Sequence, residues 1–349
     1  MNDKMIRRLT LKDVAARLNV SIATISNAFN RPDQLSADLR VSILQECEDI
    51  GYFGPNAAAR SLRTGRTGIV GVVLSDKLSF SVSDAVASQF LRGIAEVLDT
   101  AEYNMLLLSL HEHELQNRMQ ASMVDGFIIY GHRPRQYENA PWSLQQKRTI
   151  EVDSFTTEGA SVSVDNYQGA KDIANHALRH KPDNVAILGL ALLNSDRVCR
   201  IRDDELFDEA ASISVRRLNG YFDALEENGY RMAPENIWNV PLNAHKFAYQ
   251  AAREALQMVN RPKLLLCMSD LIAIAAVQVA LQMGLRVPED LHVVGFDGIP
   301  ESANLHPSIT TVHQQSVEKG RIAAELFLGL REAKAEMLKT ELIIRESCP

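Results

Sequence analysis

Hydrophobic positions recur along this chain with two different periods. Near the N-terminus they repeat every three or four residues, the spacing of one helical face. Leu11, Val14, Ala15 and Leu18 form one such face, and Val20, Ile25 and Phe29 a second. Leu39, Ile43, Leu44 and Cys47 form a third. Polar punctuation delimits the helices. Thr10 with Asp13 three residues on is a capping-box-like start, and Asn19 suits the left-handed turn that ends the first helix. Ser21 caps a second helix from Ile22 to about Phe29, which Arg31-Pro32 ends. Ser36 opens the third, and Gly51 stops it. Beyond residue 67 the period changes. Short apolar runs (68–74, 104–109, 126–130, 184–189, 264–268, 292–296) alternate with amphipathic helical stretches (85–102, 166–181, 216–228, 270–283). Strand–helix alternation predicts parallel sheets wound with helices on both faces, and the length fits two such lobes. Ligands of such sheets bind beyond the strand C-termini. That places a cleft between 74–84, 130–133, 267–270 and 296–298.

Two short helices joined by a tight turn and braced by a third predict a helix-turn-helix head. The outer face of the second helix explains the choice: Ile22, Ala23, Ser26, Asn27 and Asn30 are small, short or amide-bearing and carry no charge. Asn27 is suited to read adenine, Ile22 and Ala23 to touch thymine methyls, and Ser21, Thr24 and Ser26 to hold phosphates. A purely structural helical hairpin is the alternative. The stretch 54–66 is basic, bounded by glycines, and long enough for only one or two helical turns, so it reads as a linker that orders on DNA. Asn56, Ala59, Arg60 and Leu62 are its candidate contacts, with Leu62, between Arg60 and Arg63, as a minor-groove wedge. A plain interdomain linker is the competing reading.

Charge distribution supports the division. The whole chain carries −7, but residues 1–66 hold ten Lys/Arg against seven Asp/Glu, and the remainder 27 against 37. A basic head on an acidic body fits a protein of which only the head meets phosphate. The four cysteines (47, 199, 267, 348) are scattered without a CxxC pair, so neither a zinc site nor a disulfide framework is expected, and a reduced cytoplasm is. No apolar run approaches bilayer length, and the N-terminus lacks a secretory pattern. His111-Glu112-His113-Glu114 reads as a solvated loop. His176 and His180, four apart, lack the glutamate of HExxH and read as surface residues at a helix C-terminus. The charged stretch 194–210 reads as an exposed loop that could cover a cleft mouth. No nucleophile elbow, P-loop or dinucleotide fingerprint occurs, so no enzyme and no cofactor is expected.

The segments LTLKDVAARLNVSIATISNAFNRP and DIGYFGPNAAARSLRTGRTGIVGVVL resemble the head and hinge of the LacI/GalR family of transcription regulators. ASVSVDNYQGA, SVRRLNGYFDALEENGY and LRVPEDLHVVGFDGIPESANLHPSITTVHQ resemble its sensor domain, so the likeness runs from about Leu9 to Leu330. The resemblance implies an N-terminal all-α helix-turn-helix head (1–54), a hinge (55–66) and a two-lobed periplasmic-binding-protein-like α/β sensor (67–349). Lobe one would be about 67–166 plus 313–333, and lobe two about 167–312 plus 334–349. It further implies a homodimer on a pseudo-palindromic operator, and a small-molecule effector, a sugar or related metabolite, held between the lobes. By matching positions, Asp297 would bond a ligand hydroxyl, Arg217 would reach ligand oxygens with Arg216 turned away, Gln314 would line the cleft, and Phe80 would pack on a ligand ring. Ser269 stands where the family usually has Asn, so one amide contact would be lost. Leu242-Asn243-Ala244 replaces the aromatic platform of sugar-binding members. A repressor is the expectation; a corepressor-dependent repressor, an activator and a solute-binding protein are the alternatives.

Overall fold

The structure, a computed structural model, describes residues 9–54, 65–109, 123–131, 147–154, 159–201 and 212–349. The hinge candidates Asn56, Ala59, Arg60 and Leu62, the stretch His111–Glu114 and most of the 194–210 loop lie outside them. The chain divides into two compact units, Met1–Gly68 with Met123–Asp125, and Ile69–Ser122 with Gly126–Pro349.

In the first unit, α1 (Leu11–Arg17), α2 (Ile22–Asn30) and α3 (Ala37–Asp49) surround a small core of Val14, Ala15, Ile25, Ala28, Ile43 and Cys47. Thr10 and Asp13 form the reciprocal capping box, and Asn19 takes the left-handed backbone that turns the chain into α2. Arg40 of α3 donates through Nε to the Ala28 carbonyl at 3.1 Å, tying the third helix to the second. Two details differ from the sequence pattern. Leu39, expected inward, is 42% exposed because it lies at the open start of α3. Ser36 precedes α3 without a side-chain capping bond.

The second unit contains two sheets. The first has the order β12-β5-β4-β3-β1-β2 and is parallel throughout: β1 Ile69–Leu74, β2 Asn104–Ser109, β3 Gly126–Tyr130, β4 Arg148–Val152, β5 Ser161–Val164 and β12 Ala335–Leu338. A short helix α4 (Leu78–Ser81) follows β1, and α5 (Ala85–Thr100) packs over the sheet. The second sheet has the order β10-β9-β6-β8-β7. It is parallel except for the edge strand β7, and its elements run α6 (Asn166–Leu178), β6 (Val185–Leu190), β7 (Cys199–Arg200), α7 (Ile213–Glu227), β8 (Ile237–Val240), α8 (His245–Leu256), β9 (Leu264–Cys267), α9 (Asp270–Gln282) and β10 (His292–Val294). Its central strand shows why these runs are apolar without alternation. Val185 and Ile187 of β6 enter one core with α6 and α7, while Ala186 and Leu188 enter another with α8 and α9. A strand buried on both faces must be hydrophobic at every position.

The chain passes from the first lobe to the second between β5 and α6, whose residues join different cores. A short helix α10 (Pro300–Ala303) and β11 (Thr311–His313) follow, and then α11 (Ser316–Leu328) returns to pack beside α5 on the first sheet. The third passage corrects the expectation. The resemblance places residues from 334 on in lobe two, yet β12 hydrogen-bonds to β5 as the outer strand of the first sheet. The chain crosses only after Leu338. It then pairs β13 (Glu341–Ile343) antiparallel with β11 and ends against the second lobe, with Cys348 fully buried in its core. No helix among the described residues is long and apolar enough to cross a membrane.

Candidate functional site: a reading helix and an inter-lobe cleft

On α2, the core residues Ile25 and Ala28 face inward and fix which side faces out. Ile22 is 49% exposed, Ala23 and Ser21 are exposed, and Thr24, Ser26 and Asn27 are half-buried. Ile22 is thus an exposed apolar group on the outer side of α2. Two of the candidate phosphate ligands are already engaged. The Ser21 hydroxyl accepts from the Thr24 amide at 2.9 Å as the N-cap and shares a 2.8 Å hydrogen bond with the Thr24 hydroxyl. The helix therefore presents an uncharged outer face without a flexible side chain longer than Ile or Asn.

In the body, a cleft of about 400 Å³ opens between the two lobes at the C-terminal ends of their strands. From the first lobe, Phe80, Asp84, Tyr130 and Asp153 line it; from the second, Arg217, Asn243, Met268 and Asp297. Gln314, just after β11, lies between them. Of the sequence candidates, Phe80, Arg217, Asp297 and Gln314 thus come together at one cavity. Ser269 does not line it. It is fully buried as the N-cap of α9, accepting from Ile272 N at 3.1 Å and donating to Asn243 Oδ1 at 2.7 Å. Asn243, its hydrogen-bond partner, lines the cleft instead. That side chain also donates to Asp84 Oδ2 across the cleft at 3.4 Å.

A continuous polar row joins the lobes beneath the cleft. Lys319 on α11 is fully buried and donates through Nζ to Asp153 Oδ2 at 2.5 Å and to Gln314 Oε1 at 3.2 Å. Gln314 Nε2 donates to Asp297 Oδ1 at 2.8 Å, which Arg217 Nη1 meets at 3.3 Å. Arg217 is held in turn by Asn166 Oδ1 through Nε at 2.9 Å and by the Met268 carbonyl through Nη1 at 2.5 Å, with its guanidinium 3.7 Å over the Phe296 ring. Local sequence explains its placement. Arg217 sits in the early turns of α7, and Gly220 one turn later lets α7 lie against α6, where a Cβ would meet the Tyr167 carbonyl at 2.3 Å.

The electrostatics follow from burial. Burial pushes the Asp297 carboxyl above its ordinary range, the Arg217 guanidinium pulls it back, and the nearby Asp270 and Asp84 carboxylates add to the rise. Asp297 also holds a left-handed backbone, φ 127°, uncommon for a residue with a side chain and concentrated in proteins at functional sites. Asp153, also left-handed at φ 56°, is 3% exposed, and its Oδ1 atom has no hydrogen-bond partner. Asp153 sits in the cleft wall, yet its Oδ1 atom is itself enclosed, so a donor would reach it only through a local shift. Asp153, Lys319, Asp84 and Asn243 were not among the sequence candidates. Asp153 and Lys319 lie 166 positions apart and join only in three dimensions.

Comparisons agree with this construction. A model of a periplasmic binding protein-like domain matches residues 175–348. A dimer of the lac repressor bound to operator and the anti-inducer ONPF superposes with a TM-score of 0.78 at 21% identity, over 98% of this chain and 99% of that one. A complex of the transcriptional regulator CelR with cellobiose superposes at 0.65 and 22% identity, over 97% of this chain and 100% of that one. At these identities the likeness establishes the fold. Sequence similarity goes further: an HTH-type transcriptional regulator of Mycolicibacterium smegmatis is 34% identical over 97% of this chain and 95% of its own length. With the helix-turn-helix head, the two-lobed sensor and this relative in agreement, the chain belongs to the LacI/GalR family of DNA-binding transcription regulators.

Proposed function

We propose that the chain is a homodimeric repressor that binds a pseudo-palindromic operator and changes its operator affinity when a neutral polyhydroxyl metabolite, a sugar or close derivative, occupies the inter-lobe cleft. Residues 1–54 read the DNA, 55–66 form the hinge and 67–349 sense the effector. Asn27, Ile22 and Ala23 set the half-site preference, with Ser21, Thr24 and Ser26 toward the backbone. Asn56, Ala59, Arg60 and Leu62 act at the centre of the site.

One observation carries the choice of effector: the row Gln314–Asp297–Arg217 in a wall that Asp84 and Asp153 share. Among the described residues, the carboxyl groups of Asp76, Asp84, Asp153 and Asp297 line the cleft; Arg217 pairs with Asp297, and Lys319 behind the wall pairs with Asp153. Such a wall favours hydroxyl donors and opposes a phosphorylated ligand by like-charge repulsion. Tyr130 and Phe80 offer apolar surface for a ring face, while Ser269 acts only through Asn243.

Mechanism follows from linkage. A ligand that donates to Asp153 and Asp297 together favours one spacing of the lobes. A lobe arrangement that differs between the free and bound states is what a DNA-binding head can be coupled to. Selection of the purified protein on random duplexes at near-physiological salt tests the reading. A palindromic motif is expected, with neutral sugars shifting the affinity and sugar phosphates inert. Enrichment that appears only with added metabolite would favour the corepressor alternative, and no enrichment under either condition would refute a sequence-specific regulator.

A further inference from the structure

The end of lobe two opposite the cleft gathers side chains for which the regulatory reading has no use. His176 ends α6, His180 follows it, His292 begins β10, and Cys348 lies on the terminal segment that crosses between them. β10 runs from His292 toward Asp297, so the group sits at the far end of that strand from the effector. Contrary to the surface role its spacing suggested, His176 is only 6% exposed. One donor atom from each of His176, His180 and Cys348 lies within 4.8 Å of the others. The His292 ring stacks on His180 at 4.2 Å between centroids.

The hydrogen bonds fix the tautomer of two of these rings when they are neutral. Nε2 of His176 faces the Cys348 carbonyl at 3.0 Å, and Nε2 of His180 faces the Pro349 main-chain oxygen at 2.8 Å. A carbonyl oxygen only accepts, so Nε2 carries the hydrogen in both rings. In the neutral imidazole, Nδ1 then bears a free lone pair. For His176 that atom is buried without a partner, and so is Nδ1 of His292. An imidazole oriented by an N–H bond to a carbonyl, with its other nitrogen open, is the arrangement found in metal-binding histidines.

We propose that His176, His180 and Cys348 form a transition-metal site of the zinc type. Imidazole and thiolate donors select Zn²⁺ and similar borderline metals over Mg²⁺ or Ca²⁺. Tetrahedral coordination brings the donors to about 3.3–3.8 Å apart, so binding draws the three together by roughly an ångström. The Cys348 thiol loses its proton to solvent as the metal–sulfur bond forms. The bound ion would pin the terminal segment to α6, on the side of lobe two away from the effector.

Titration of the full-length protein with Co²⁺ tests the site. We expect saturation at one ion per chain, a thiolate-to-cobalt charge-transfer band, and loss of that band when Zn²⁺ is added. Cys348→Ser should abolish the band. His180→Ala, at an exposed ring, should weaken Co²⁺ binding roughly tenfold or more while leaving the circular-dichroism spectrum unchanged. No band in the wild type, or a band that survives Cys348→Ser, would overturn the proposal. Should Cys348→Ser fail to fold, wild-type affinity in His180→Ala would overturn it equally.

Discussion

Asp297 concentrates the strain and the charge of the effector cleft in one residue. Its backbone is left-handed, its carboxyl is buried, and its Oδ1 atom is shared by Gln314 and Arg217. Asp297→Asn keeps the shape and removes the charge. Arg217 retains its bonds to Asn166 and the Met268 carbonyl, so the fold should survive with a stability loss of about 1–3 kcal/mol in urea denaturation. Operator binding without effector should be unchanged, and effector affinity should fall by roughly tenfold or more. A normal effector response in this variant would remove Asp297 from the site. At this scale the sequence was informative where a residue stands in a recognisable local string, as Asp297 does in GFDG and Arg217 in SVRRLNG. It was silent on Asp153 and Lys319, each unremarkable in its own string, because their pairing arises from the passage of α11 back onto the first lobe. Ser269 misled for the opposite reason. Its position in the string is right, but the side chain turns inward to cap α9.

Between elements, close backbone approach decides what can be changed. α5 and α11 cross where each has a glycine: a Cβ on Gly93 would meet the Val317 carbonyl at 1.9 Å, and one on Gly320 the Phe90 carbonyl at 2.1 Å. Neither obstacle is a side chain that can swing aside. Gly320→Ala should therefore destabilise the sensor by about 1–3 kcal/mol or more, although Gly→Ala in an open helix would stabilise it by roughly 1 kcal/mol. The sign of the shift in the urea midpoint distinguishes the two. The same crossing carries Lys319 to Asp153, so effector affinity should fall along with stability. Elements legible from the sequence were those buried on both faces, such as β1 (IVGVVL) and β6 (VAILGL), and strongly amphipathic helices. β5 (SVSV) and β12 (AEML) escaped notice. They are four residues long, and β12, half-exposed at the edge of its sheet, lacks the apolar run that marked the others.

For the molecule as a whole, the polar row from Lys319 to Asn166 spans both lobes through Gln314 without an apolar break. If effector and operator act on one equilibrium, their effects must be reciprocal. The factor by which a saturating effector changes operator affinity should equal the factor by which operator changes effector affinity, typically 5–150-fold. Parallel titrations by fluorescence anisotropy and calorimetry would measure both, and unequal factors would exclude a single linked equilibrium. The two-lobed plan was legible from strand–helix alternation. The exact course of the third crossing was not, because an edge strand of four residues leaves little periodic signal.

That crossing also sets an order of events during synthesis. The head draws its core from residues close in sequence, Val14 to Cys47, and has all it needs early. Neither lobe of the sensor does. Lobe one lacks its outer strand until residues 335–338 emerge, and lobe two lacks its buried Cys348 for longer still. Because N-terminal units fold first as a chain leaves the ribosome, a nascent chain carries a finished DNA reader before it has any means of sensing the effector. A truncated product, such as one from a premature stop, would keep the reader and lose its control.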